Sequence, residues 1–271
     1  MGLIDSHTHL DSFVRRGELA PILDRARTAD VDAMITVGTA SDDWLGYREL
    51  AMAQAGTVFY TAGLHPCSVD ETWEQELAQL PVFWRDGGLV PVALGECGLD
   101  RFHLPKKDEA KAEQLMAWQK AAFAAQLALA KELDAPVVVH SRGAFAECVE
   151  LIDASGVNWK RVVFHCFAEG PAEMTVLRER GGFGSFTGIL TYKNAESVRE
   201  AAKVQGLEHL MLETDAPYLT PVPHRGKPNE VSYVRHTADF AAEMFGVDYE
   251  TLATITTRNA RAFYGLPATA V

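Results

Sequence analysis

Short apolar runs recur along the chain near residues 3–6, 33–38, 57–62, 90–95, 136–140, 161–165, 183–187 and 209–213. They are rich in Val, Ile, Leu and Phe, which suits strands covered on both faces. Between them the pattern turns helical. The clearest helical stretch is 108–133, with Asp108, Glu109 and Glu113 in its first turns and Lys131 near its end, as the helix dipole favours. Others cover 18–29, 43–55, 71–84, 144–155, 171–181 and 194–204, and 231–265 reads as helices. Eight strands alternating with helices predict an α/β fold, a single (β/α)8 TIM-type barrel. A doubly wound open sheet is the competing arrangement, but it gathers its site at one crevice from fewer strands. No Pro/Gly/Ser-rich linker or internal repeat divides the chain, so residues 1–271 are expected to form one domain.

Polar residues punctuate the runs. His7 and His9, Glu96, His140, His165 and Asp215 each close an apolar stretch: LIDSHTH, VPVALGE, PVVVH, RVVFH and HLMLETD. Barrels of this class carry their sites at the C-terminal ends of several strands. His7 and His9 are two apart, which puts both imidazoles on one face of an extended segment. They can share an ion, or occupy a solvated turn. A carboxylate such as Glu96 after a largely apolar run should not be buried unpaired. It can place one oxygen on each of two ions, or it can be a salt-bridged strand end. Gly95 and Gly98 beside it permit close backbone approach. His140 and His165 repeat one phase on consecutive strands. Asp215 can hold a metal and accept a proton from an attacking water, or cap the next segment. Asp5 and Glu213 lie in phase with these residues as supporting carboxylates.

Composition changes the picture little: 271 residues, 48% hydrophobic and 23% charged, is ordinary globular usage. No apolar run reaches the roughly 18 residues of a membrane span. The N-terminus lacks a signal-peptide pattern, so a cytoplasmic protein is expected. The net charge of −12 argues against polyanion binding over the whole surface, but not at a local site. Four imidazoles and two carboxylates sum to −2, and two divalent ions would bring the site to +2. The four cysteines form no CxxC pair, and disulfides are not expected. Cys67, Cys97, Cys148 and Cys166 read as small buried hydrophobes. Cys97 and Cys166 should face away from the proposed ligands, because strand neighbours point to opposite faces.

Further residues sit where a substrate would approach. His65 in GLHP follows the third run and can contact substrate, donate to a leaving oxygen, or bond to backbone. Arg142 suits bidentate contact with a phosphate or a surface ion pair. Arg225 and Lys227 lie on a loop stiffened by Pro217, Pro221, Pro223 and Pro228. They can meet an anionic substrate or keep an exposed loop soluble. The loop 101–107 mixes basic and aromatic residues that can hold phosphates and stack a base. His209 and His236 match no ligand pattern and read as structural.

The stretches DSHTHL, GLHP, GECGLD, VVVHSR, FHCF and ETDAPYLTPVPHRGKPNE, spanning residues 5 to 230, resemble the TatD family of metal-dependent deoxyribonucleases, amidohydrolase-like barrels. The resemblance implies a (β/α)8 barrel with two divalent ions, Mg, Mn or Zn. One ion would take His7, His9 and Asp215, the other His140 and His165, with Glu96 between them. Asp215, Glu96 and His65 would be catalytic; His65, Arg142, Arg225 and Lys227 would bind substrate. The reaction implied is hydrolysis of DNA phosphodiester bonds, as a 3′–5′ exonuclease on single strands. DNA would be bound locally, with no membrane and no obligate protein partner. An ester or amide hydrolase of the same type, acting on a small molecule or aminoacyl-tRNA, is the alternative, and a non-catalytic metal-binding protein a third. One departure is Val231, where the family pattern continues Asn-Glu with proline.

Overall fold

The computed structural model describes residues 2–267; Met1 and residues 268–271, the ends of the expected 1–271 domain, lie outside the described residues. The strands are β1 (Leu3–Thr8), β2 (Val31–Thr36), β3 (Val58–Ala62), β4 (Ala93–Asp100), β5 (Val137–Arg142), β6 (Val162–Phe164), β7 (Phe183–Phe186) and β8 (Met211–Leu212). They follow one another in chain order in one sheet. The helices between them are α1 (Asp11–Arg15), α2 (Leu19–Thr28), α3 (Trp44–Ala53), α4 (Trp73–Leu77), α5 (Val82–Arg85), α6 (Glu109–Leu133), α7 (Phe145–Ser155), α8 (Pro171–Arg180) and α9 (Glu196–Gln205). Then α10 (Val234–Phe245) and α11 (Tyr249–Tyr264) follow β8. This is the (β/α)8 order expected from the sequence.

Two compact units are interleaved along the chain. One comprises the segment up to Thr36, Gln54–Phe59 and the chain from His165 onward. In it β1 pairs in parallel with β2, and β7 with β8. A bridge joins Thr8 to Ala216, just past β8. Helices α10 and α11 cover β1, and Thr257 on α11 donates to the Gly2 carbonyl at 2.7 Å. All six β1 residues are buried, including Asp5 and His7.

The other unit comprises Val37–Ala53 and Tyr60–Phe164. Here β4 pairs with β5 and β5 with β6, all parallel. Helix α6 packs on β4. It starts where Asp108 accepts from the Lys111 N–H at 3.0 Å, a side-chain cap. Its buried face presents Phe123, Leu127 and Ala130 together with Gln119 and Gln126. These two glutamines, two helical turns apart, bind backbone in the loop after β3 and at the end of β4. Gln126 accepts from the Leu64 N–H (2.8 Å) and donates to the Leu64 carbonyl (3.1 Å), and Gln119 accepts from the Asp100 N–H (3.0 Å). The helix thus fixes the chain beside His65 and at the end of β4.

Three expectations are corrected. The fourth strand is not 90–95 but Ala93–Asp100, so Glu96 lies inside it. Gly95 (φ +139°) and Gly98 (φ +143°) make this possible: a Cβ at Gly98 would stand 2.0 Å from the His140 carbonyl oxygen. The helix over 71–84 is two short ones, α4 and α5. Pro81 separates them, and proline has no N–H to continue a helical ladder. Cys97 and Cys148 are buried as expected, but Cys67 is exposed and Cys166 partly so. Strand β6 ends at Phe164, so strand alternation no longer governs Cys166, which takes a left-handed φ of 47°.

Candidate metal centre

In the unit containing β1, the period-two spacing carries Asp5 and His7 along the strand to His9 just beyond it. His9 Nε2 lies 3.3 Å from Asp215 Oδ1, and His7 Nε2 3.7 Å from the same oxygen. The ring of His165 stacks on that of His7 with centroids 3.9 Å apart, and His165 Nδ1 is 3.5 Å from Glu213 Oε1. Two overlapping donor sets result: His7, His9 and Asp215, and His7, His165 and Glu213. In each set the donor atoms lie within 4.8 Å of one another.

Buried hydrogen bonds hold these donors. The Asp5 carboxylate accepts from the Thr214 N–H (2.8 Å), the Thr214 hydroxyl (2.6 Å) and the His7 N–H (3.3 Å). The Asp215 N–H donates to the His7 carbonyl at 2.9 Å. Glu213 accepts from the Cys166 N–H at 2.6 Å and from the Ser185 hydroxyl, which fixes the chain just after His165. Asp215 sits at φ +53°, a backbone state that costs a non-glycine residue about 1 kcal/mol or more and clusters at functional sites. Burial alone would raise its carboxyl. The His9 hydrogen bond and the charges of His9, His7 and His165 outweigh that and hold it below the usual range. At Asp5 burial outweighs the hydrogen bonds from Thr214 and His7 and, with the nearby Glu213 charge, pushes the carboxyl up to about 8.

In the other unit, Glu96 Oε1 lies 2.8 Å from His140 Nδ1 and 3.3 Å from His65 Nε2. His65 Nε2 and His140 Nδ1 are 3.2 Å apart. His65 Nδ1 accepts from the Cys67 N–H at 3.0 Å, so in the neutral ring the proton sits on Nε2. The second nitrogen of His140, Nε2, lies 3.0 Å from Asp100 Oδ2. Burial would raise Asp100, but its hydrogen bonds to His140 and His103 hold it far below the usual range. A carboxylate on the outer nitrogen of a ligating histidine fixes ring orientation and tautomer. Asp100 is the residue the sequence reading missed. Its signal was present in GECGLD, four residues after Glu96, but the strand was ended too early to include it.

The substrate-side candidates are placed as follows. The Arg142 guanidinium lies 3.9 Å over the exposed Phe102 ring, and Lys106 lies 5.1 Å over the same ring. Arg101 is instead paired with Glu147 at 2.7 Å. In the β1 unit, Arg225 lies 3.8 Å over Tyr192. It borders a cavity of about 240 Å³ lined also by Lys193, Asn194 and Ala168. The loop bearing Arg225 and Lys227 is braced: Asn229 donates to the carbonyls of Thr214 (2.9 Å) and Tyr218 (2.6 Å), and Thr220 to that of Lys227 (2.6 Å). Val231 opens a short turn into α10 without needing proline. His236 faces His224 at 3.1 Å, and His209 packs against Phe183.

Imidazole nitrogens with carboxylate oxygens suit Zn, Mn, Fe, Co or Ni, and carboxylates extend the range towards Mg. The donor chemistry therefore fits divalent cations. Comparisons with known proteins agree. The family described as TatD related DNase matches residues 4–265. The metal-dependent hydrolase YcfH of Escherichia coli K12 is 36% identical over 269 residues, covering 97% of this chain and 96% of that protein. A 3′-5′ ssDNA/RNA exonuclease TatD of Erwinia amylovora is 34% identical over 250 residues, covering 90% of this chain and 93% of its own. The crystal structure of YJJV, a TatD homologue from Escherichia coli K12, superposes with a TM-score of 0.88 at 24% identity, covering 98% of both chains. That likeness establishes the (β/α)8-barrel fold class.

Proposed function

Because the chain belongs to the TatD-related DNase family of metal-dependent hydrolases, we propose that it cleaves phosphodiester bonds in DNA, as a 3′–5′ exonuclease on single strands. The observation that carries this reading is the pair of nitrogen and oxygen donor sets, His7, His9 and Asp215, and His65, Glu96 and His140. Two divalent ions, Mg, Mn or Zn, would be held, one by His7, His9 and Asp215 and the other by Glu96 and His140, with His165 as a further ligand. The Erwinia relative's name supports the substrate class and polarity.

Bound divalent ions supply Lewis acidity and lower the pKa of water towards neutrality. The rest falls to this chain's side chains. Asp215 is ionised at neutral pH and takes the proton of the attacking water. The new bond forms at phosphorus, and the bond from phosphorus to the O3′ of the preceding nucleotide breaks. His65, with its proton on Nε2, protonates that leaving oxygen. Glu96 would hold the cation, and it orients His140 through the 2.8 Å contact with Nδ1. Arg142 and Arg225, each resting on an aromatic ring, and Lys227 offset phosphate charge. Their rings suit stacking of a terminal base.

The test is chelation followed by reconstitution with Mg, Mn or Zn, using single strands labelled at the 3′ or the 5′ end. The expected result is metal-dependent release of 5′-mononucleotides from the 3′ end. No cleavage of DNA with any of these ions, alongside turnover of ester or amide substrates, would overturn the nuclease reading and leave a hydrolase of another bond.

A further inference from the structure

A second cluster of donors lies beside the His65–Glu96–His140 set and shares no residue with it. We propose that Cys67, Asp100 and His103 form a separate, sulfur-containing site for a borderline or soft divalent cation such as zinc. Cys67 Sγ lies 3.6 Å from Asp100 Oδ2 and 3.6 Å from His103 Nδ1. His103 Nδ1 and Asp100 Oδ2 are 2.8 Å apart.

These separations are close to what zinc requires. Bond lengths of about 2.3 Å to sulfur and 2.0–2.1 Å to nitrogen or oxygen, arranged tetrahedrally, set S···N and S···O at roughly 3.5 Å and N···O at roughly 3.3 Å. Only the His103–Asp100 pair must open, by about half an ångström on that geometry. The His103 side chain is 53% exposed, so it has room to move.

The backbone prepares the donors. The Cys67 N–H is tied to His65 Nδ1. The His103 N–H donates to Asp100 Oδ1 at 2.9 Å, which leaves Oδ2 directed at the sulfur and the imidazole. Asp100 itself is fully buried, whereas Cys67 and His103 open to solvent, so a water can take the fourth position. Thiolate with imidazole selects zinc-like ions over magnesium. On binding, the thiol proton passes to solvent and a sulfur–metal bond forms, as coordination deprotonates a thiol outright.

The site is coupled to the hydrolytic one through a single atom. Asp100 Oδ2 is also the partner of His140 Nε2 at 3.0 Å. A cation on Asp100 competes with that hydrogen bond. Excess zinc is therefore expected to act on His140 from outside its own donor set.

Cobalt(II) added to the metal-free, full-length protein tests the proposal without any substrate, so the outcome is independent of the nuclease reading. The nitrogen and oxygen sets cannot give a sulfur-to-cobalt charge-transfer band in the near ultraviolet; the Cys67 site must. The band is expected in the wild type and in Cys166→Ser, absent in Cys67→Ser, and shifted to at least about 10-fold higher cobalt in His103→Ala. In the wild type, cobalt or zinc should also slow alkylation of Cys67, read by peptide mass mapping. No sulfur band at saturating cobalt, a band that survives Cys67→Ser, or unchanged alkylation of Cys67 would overturn the assignment.

Discussion

His140 is held from both sides of its ring: Nδ1 lies 2.8 Å from Glu96 Oε1 and Nε2 lies 3.0 Å from Asp100 Oδ2. One nitrogen belongs to the donor set, and the other to a carboxylate that fixes how the ring is presented. Asp100 is thus a positioning residue. Asp100→Asn is expected to weaken metal binding by about 10–100-fold, the usual effect of removing such a partner. Calorimetric titration measures the affinity, and circular dichroism checks that the fold is kept. Unchanged affinity would remove Asp100 from this role.

The backbone beneath that pair allows only glycine. Gly98 has φ +143°, and an added Cβ would meet the His140 carbonyl oxygen at 2.0 Å. Both the conformation and the contact oppose a side chain. Gly98→Ala is expected to cost at least ~2 kcal/mol of stability. Gly56, with φ +83° and open space around it, is the control: Gly56→Ala should cost only ~1 kcal/mol for its backbone conformation. Urea unfolding of the two variants separates conformation from collision.

Much of the fold was legible because apolar runs and helical periods alternate; α6 starts within a residue of the expected 108–133, with Asp108 capping it instead of lying in its first turn. The phase of His7 and His9 was legible because strand alternation is strict. The extent of β4 was not. A segment reading GECGLD carries two glycines and two carboxylates, which by composition ends a strand. It continues because tertiary partners absorb the charges: His140 meets both Glu96 and Asp100, and Gln119 meets the Asp100 backbone. The same limit hid the place of Cys67. Its exposure follows from a turn pinned by His65 and Gln126, not from its own hydrophobicity.

Asp215 draws its role from its imidazole neighbours and its unusual backbone. Asp215→Asn keeps the shape but removes the charge that faces His9 and His7. Turnover of single-stranded DNA should fall by about 10²–10⁴-fold, the range for losing a general base, with the thermal midpoint little changed. Wild-type rates in that variant would remove Asp215 from the mechanism.

Charge on the substrate side should show in salt dependence. Arg225 rests on Tyr192 and Arg142 on Phe102, so each presents a guanidinium at a fixed place. If they meet phosphates, Arg225→Ala or Arg142→Ala should raise KM more than it lowers kcat. Each should also flatten the dependence of binding on salt by roughly one phosphate contact. A slope identical to that of the wild type would assign these residues to packing alone.

A titration outside the metal sets, at a carboxyl that braces the Thr39 backbone to which the His65 N–H donates, gives a stability signature. Burial pushes the Asp43 carboxyl up to about 6, against the opposing hydrogen bonds from Thr39 and Ala40. Its Oδ2 accepts from the Thr39 N–H and hydroxyl, both at 2.8 Å, and from the Ala40 N–H at 3.2 Å. In the unfolded chain the same group titrates at about 3.9. Between those two values the folded protein binds the proton more tightly than the unfolded one. Stability therefore falls as pH rises through that window and levels off above about 6. Asn at this position can still accept from Thr39 and Ala40 through its amide oxygen, but it does not titrate. Urea unfolding of Asp43→Asn from pH 4 to pH 7 should lose this downward component of the wild-type curve. Parallel curves for the two proteins would show that the Asp43 carboxyl titrates alike folded and unfolded.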